Sequence, residues 1–333
     1  MKTSKWLLIP FLFILLLAGC NQQPLQKVQV GEVTRSIFYA PLYAAITEGF
    51  FEEEGLEIDL TTIPGGDKTM TALLSDGVDI ALIGTETSIY VAGQHPKDPV
   101  VNFAQLTQTD GTFLVARNET KEEFSWDQMK GRTMLGQRVG GMPQMAGEYV
   151  LKAKNVNPHE DLELIQNIDF ANIANAFASG TGEYVQLFEP TASMFEAQGV
   201  GHVVASFGAE LEEIPYTVFM AKESTLEEDQ FITKFTTALY KAQQWVYEAS
   251  AEEVAKSIAP YFENTDEALI ATVVNRYRDQ ASYAKDPIIE KQELKNLFDI
   301  MLEAGIIEEK SLQEPYLQYE QLINTTFAKK AME

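Results

Sequence analysis

From Val28 to Phe207, strand-length and helix-length patterns follow one another almost without a break, and this alternation constrains the fold more than any other feature. An alternating apolar run at Val28, Val30 and Val33 reads as a strand; Tyr39, Leu42, Tyr43, Ile46 and Phe50 then recur at helical spacing. Pro41 falls in the first turn of that helix, where a missing N–H is tolerated. A second strand at Leu56, Ile58 and Leu60 leads through a Gly65-Gly66-Asp67 turn to a helix carrying Met70, Leu73 and Leu74. Residues 79–83 form a third strand, so the order is βαβαβ and a mostly parallel sheet is expected.

Residues 100–106 and 113–116 look like further strands, after which 118–124 turn polar and acidic and are expected to cross to a second lobe. The alternation then restarts, with strands at 133–135, 162–165, 184–188 and 203–207 and helices at 143–154, 171–178 and 192–197. Residues 218–221 read as a return strand, a second crossing is expected at 222–226, and the chain is helical almost to its end. One of these helices opens on a capping box, Ser250 with Glu253 three residues on. The expected fold class is therefore α/β in two lobes. The first is made of residues 28–118 and 223–333, the second of 119–222.

Ahead of this body, Lys2 and Lys5 precede an apolar run from Trp6 to Ala18, the charged-then-apolar order of an export signal. The run is shorter than the roughly 20 residues a membrane-spanning helix needs, so residues 1–20 read as a leader to be removed. Ala18-Gly19-Cys20 resembles a bacterial lipobox, in which the cysteine thiol takes a lipid and becomes the mature N-terminus. Residues 21–27 are polar and aperiodic and read as a tether. The expected location is the extracytoplasmic face of the cell membrane, held by lipid on Cys20.

Removing the leader leaves 313 of the 333 residues, more than one compact core usually takes. The chain carries 25 Lys and Arg against 49 Asp and Glu, a net charge of −24, and losing Lys2 and Lys5 makes it −26. Such a surface repels nucleic acid. No cysteine but Cys20 exists, which excludes disulfides and thiol catalysis in the mature body. The chain contains no phosphate-binding loop, nucleophile elbow or HExxH helix. His95, His159 and His202 lack partners at metal-ligand spacing, so no metal and no cofactor is expected.

What remains is a set of turns between strand ends and helix starts, at residues 34–38, 64–67, 84–87 and 138–143. In open α/β sheets the ligand crevice lies at such turns, and the free N–H groups of helix starts point at it. Candidate contacts are Ser36, Phe38, Tyr39, Gly66, Asp67, Thr85, Glu86 and Thr87 from the first lobe and Arg138, Gly140, Gly141, Met142 and Glu189 from the second. Phe38 reads equally as a stacking aromatic or as a core ring beside Tyr39 and Tyr43. Arg35 and Arg138 suit a sulfonate or carboxylate, whereas Asp67, Glu86 and Glu189 suit an N–H donor such as an aminopyrimidine. The ligand stays at class level.

The chain resembles the substrate-binding lipoproteins of bacterial ABC importers for nitrate, taurine, aliphatic sulfonates and thiamine pyrimidine precursors. The likeness rests on Ala40-Pro-Leu-Tyr-Ala-Ala-Ile-Thr-Glu-Gly-Phe-Phe-Glu-Glu-Glu-Gly-Leu-Glu-Ile and Leu73-Leu-Ser-Asp-Gly-Val-Asp-Ile-Ala-Leu-Ile-Gly, and more loosely on Met129-Lys-Gly-Arg and Phe188-Glu189-Pro190. It implies the type II periplasmic-binding-protein fold, a monomer that closes on a small molecule, and a membrane permease and ATPase as partners. Closure by a ligand requires different affinities for the open and closed states, roughly 5.5 kcal/mol to reverse a 99:1 preference, so both lobes should contribute contacts. Two alternatives are an exported enzyme and a sensor lipoprotein on the same fold. The related pyrimidine-phosphate synthase resembles a cysteine-dependent iron protein, and this chain lacks the cysteines.

Overall fold

The computed structural model describes residues 24–333; the expected leader and Cys20 lie outside the described residues. Among the described residues ten strands form two five-stranded sheets. In chain order they are β1 (Gln26–Glu32), β2 (Leu56–Thr62), β3 (Ile80–Gly84), β4 (Val100–Thr107), β5 (Thr112–Ala116), β6 (Thr133–Leu135), β7 (Glu163–Ile165), β8 (Tyr184–Phe188), β9 (His202–Ser206) and β10 (Thr217–Lys222). The sheet orders are β2-β1-β3-β10-β4 and β7-β6-β8-β5-β9. β1 starts inside the expected tether, its Gln26 N–H donating to Gly55 O at 2.9 Å.

Four strands of each sheet run one way, because a parallel neighbour needs a helical crossover and the βα series supplies one each time. The fifth strand is antiparallel to both its neighbours: β10 between β3 and β4, β5 between β8 and β9. These are the two strands that arrive from the other lobe. The chain therefore passes between lobes at 108–111 and 207–216, which corrects the expected crossings at 118–124 and 222–226. Polarity misplaced them. Residues 118–124 only follow β5 at the surface, while the true crossing runs through the interior, with Gln108, Thr109 and Asp110 buried. Gly111 sits there against the Phe38 ring; a Cβ on it would stand 2.8 Å from the ring carbons.

The first lobe's core lies between its sheet and the helices Ala40–Thr47 and Asp229–Glu248. Phe235 of the long helix packs against Phe51 at 4.9 Å and Phe219 at 5.1 Å, ring centre to ring centre. Each such buried side chain contributes roughly 1.5–3 kcal/mol. β4 is buried along its whole length and carries polar side chains whose amide N–H groups are bonded, Asn102 Nδ2 donating to Ser88 Oγ and Leu322 O and Gln105 Nε2 to Glu293, while their amide oxygens stay without a partner. A smaller core under the second sheet holds Leu114, Met134, Leu151, Tyr184 and Phe207. The C-terminal helices cover the first lobe and also reach the second, where Glu303 pairs with Lys152 at 3.6 Å.

Candidate functional site

In each sheet the parallel strands end at the gap between the lobes, and helices begin there. β2 leads to helix Gly66–Leu74, β3 to Glu86–Ala92, β6 to Met142–Ala153 and β8 to Thr191–Ala197. Between these ends lies a cavity of about 560 Å³, inside the range of roughly 300–1,000 Å³ typical of small-molecule sites. Tyr39, Gly66, Asp67, Glu86, Thr87 and Tyr90 line it from the first lobe, Arg138, Gly140, Gly141, Met142, Phe170 and Phe188 from the second, and Tyr216 from the crossing between them.

Three contacts join the lobes across this cavity. Asp67 and Arg138 pair at 3.1 Å, with both side chains about half exposed. Slight burial would raise the Asp67 carboxyl, but the Arg138 guanidinium outweighs it and holds the group below its ordinary range. Tyr90 Oη donates to Gly140 O at 2.9 Å. Met142 N–H, at the start of its helix, donates to Glu86 Oε1 at 3.1 Å.

Glu86 is the most perturbed carboxyl lining the cavity. It is 4% exposed, and burial lifts its pKa to about 7, only partly offset by the Met142 N–H and its own backbone. Its second oxygen, Oε2, is buried with no hydrogen-bond partner. The carboxyl folds back over Gly84, where an added Cβ would stand 2.1 Å from Oε2, so a side chain at 84 would expel it. The same burial, reinforced by the Glu86 charge, keeps the Tyr90 hydroxyl protonated far above its ordinary range.

Of the residues expected at the site from sequence, the cavity wall holds Tyr39, Gly66, Asp67, Glu86, Thr87, Arg138, Gly140, Gly141 and Met142. Ser36, Phe38, Thr85 and Glu189 are not in that wall, and each has a structural partner instead. Phe38 is fully buried among Tyr277, Tyr216 and Phe188, with ring centres 5.1, 5.6 and 5.9 Å away, which selects its core reading. Ser36 Oγ donates to Glu189 O at 2.6 Å, a contact between lobes behind the cavity. Thr85 Oγ1 donates to Pro215 O. Glu189 is buried and pairs with Arg276 at 2.5 Å, while its other oxygen accepts the Ser193 N–H. Burial raises its pKa and the Arg276 charge works against the rise. Arg35 pairs with buried Glu32 at 2.9 Å and lies 4.8 Å from the Tyr261 ring centre, so it is committed to the first lobe's interior.

Sequence reasoning missed Tyr90, Phe170, Phe188 and Tyr216. Tyr90 stands four residues after Glu86 on one helix, a spacing that places both on one face. Phe170 lies in the turn after β7, the same kind of strand-to-helix junction as the four turns singled out. Phe188 ends β8, and Tyr216 precedes the return strand with no local signal.

The family model for the NMT1-like family matches residues 21–259. YtlA of Bacillus subtilis (strain 168), described as a candidate binding protein, is 56% identical over 98% of both chains. Among solved structures, the periplasmic nitrate-binding protein NrtA of Synechocystis PCC 6803 superposes with a TM-score of 0.73 at 16% identity, covering 92% of this chain and 88% of its own. The ligand-binding component of an ABC-type import system from Staphylococcus aureus, solved with zinc bound, does so with a TM-score of 0.71 at 13% identity over 92% and 99%. At these identities the structures establish the fold, which is the type II periplasmic-binding-protein fold. The family match spans most of the sequence and the Bacillus relative nearly all of it: the chain belongs to the NMT1-like family.

Proposed function

We propose that this protein is the extracytoplasmic solute-binding component of an ABC importer, held to the membrane by lipid on Cys20, which captures a small organic molecule between its lobes and delivers it to a permease. The observation that carries this reading is a cavity of about 560 Å³ walled by both lobes and spanned by three contacts between them. A molecule held there touches both lobes, so its affinity depends on their separation, which is the condition for a solute to drive closure.

Native mass spectrometry of the protein purified from its own cells tests the reading directly, because a solute enclosed by both lobes survives gentle purification. The expected result is a stoichiometric small molecule whose removal expands the protein in small-angle X-ray scattering and whose return compacts it. A protein that carries no solute, and that neither compacts nor gains thermal stability with any sulfonate, nitrate or aminopyrimidine, refutes the proposal.

A further inference from the structure

We infer that the solute presents a hydrogen-bond donor, an amine or amidine N–H or the amino group of a flat heterocycle, to Glu86 Oε2, and that Glu86 bars anions from the same site. The inference rests on the solute-binding reading of the cleft and names the chemistry that cleft selects.

Two independent observations meet at this carboxyl. The first is what occupies the start of helix Met142–Ala153. A 12-residue helix that begins after Gly140-Gly141, with no side-chain cap of its own, is a ready seat for an anion. That seat is filled: the Met142 N–H already donates to Glu86 Oε1 at 3.1 Å, from the opposite lobe. Above about pH 7, where the Glu86 carboxyl is ionised, an entering sulfonate or nitrate would have to displace the carboxylate from this N–H or lie against it, like charge on like charge, in a buried site. The second observation is Oε2 itself, buried with no partner on a residue that is 4% exposed and lines the cavity. A buried carboxylate oxygen left without a donor is costly, and a solute N–H facing it removes that cost.

The rest of the wall agrees. Arg138, the cation best placed to attract an anion, is already paired with Asp67, leaving Lys68 against Glu86 and Asp169. The aromatic rings of Tyr39, Tyr90, Phe170, Phe188 and Tyr216 line the same space and suit a flat body carrying the donor.

Calorimetric titration of the wild type, Glu86→Gln and Glu86→Ala with two donor probes, benzamidine and 4-aminopyrimidine, and two anion probes, nitrate and methanesulfonate, tests this. Wild type should bind a donor probe at least 100-fold more tightly than either anion. Glu86→Gln keeps an acceptor for the Met142 N–H but puts an amide NH₂ where Oε2 stands; it should weaken donor binding by at least tenfold. Glu86→Ala empties the helix start and should bind methanesulfonate at least tenfold more tightly than wild type. Glu86→Gln retains folding if the alanine variant does not, so the donor comparison stands on its own. Wild type preferring an anion, or Glu86→Gln binding donor probes as well as wild type, overturns the inference, as does a co-purified solute with no N–H donor. Tight anion binding in the cleft would leave the solute-binding reading standing and remove only the donor assignment. Binding of neither class, with no co-purified solute, would remove both.

Discussion

Replacing Glu86 by glutamine should stabilise the solute-free protein in neutral and mildly alkaline solution and do almost nothing in acid. The carboxyl's pKa is lifted from 4.5 in the unfolded chain to about 7 in the folded one. The folded state therefore holds more protons between these values, and stability falls as pH rises through that window. Below about pH 4.5 the penalty is absent; above about 7 it is complete. At roughly 1.36 kcal/mol per pKa unit it amounts to about 3 kcal/mol. The glutamine side chain escapes this penalty but makes a weaker, uncharged hydrogen bond to Met142, a loss of about 1 kcal/mol, so the net gain at pH 8 is about 2 kcal/mol. With an unfolding entropy of about 2.1 cal/mol/K per residue over a body of roughly 310 residues, this raises Tm by about 3 °C. Tyr39, Tyr90 and Tyr216, in the field of Glu86, have pKa values far above this range, and buried Asp110, lifted to about 6, is common to both proteins and cancels, so the difference between their profiles from pH 4.5 to 8 reports the Glu86 carboxyl. Calorimetric scans of both proteins at half-unit pH steps give the difference directly. A variant less stable than wild type at pH 8 would mean that the buried charge has a compensating partner, and the reasoning would be wrong.

Arg276→Gln should cost about 3 kcal/mol by leaving Glu189 buried without its cation, and pairing it with Glu189→Gln should restore most of that; urea unfolding of the single and double variants measures both. Gly111→Ala would press a methyl group into the Phe38 ring and should destabilise by about 1–3 kcal/mol, and Phe38→Leu in the same chain should recover part of the loss, read from the same urea midpoints. Cys20→Ser should abolish incorporation of labelled fatty acid and move the protein from the membrane to the soluble fraction, leaving solute affinity unchanged; retention on the membrane would refute the lipobox reading.

The strands and most helices were legible because burial imposes a period, and Val28 with Val30 or Met70 with Leu73 display it without knowledge of the partner. The crossings were not legible, since a hinge that runs through the interior is polar in sequence yet buried in space, as Asp110 is. Asp110 reaches this through local bonds to the Thr112 N–H and hydroxyl, which no count of exposed-looking residues reveals. At the site, the strand-end turns pointed to the right place, but which side chains face the cavity depends on helix phase and on the second lobe. Glu189 and Glu86 both follow strand ends; only the structure shows that Arg276 claims one and leaves an oxygen of the other open.

The position of β10 has a consequence for how the molecule is built during synthesis. The second lobe is one unbroken stretch, so it has all its strands once residue 206 has emerged. The first lobe does not: its strands β3 and β4 flank a slot that stays vacant until residues 217–222 arrive. Until then two unpaired strand edges, rich in Val, Ile and Leu, stand open to mispairing. The first lobe's N-terminal strands thus wait on a segment roughly a hundred residues further along the chain before their sheet can close.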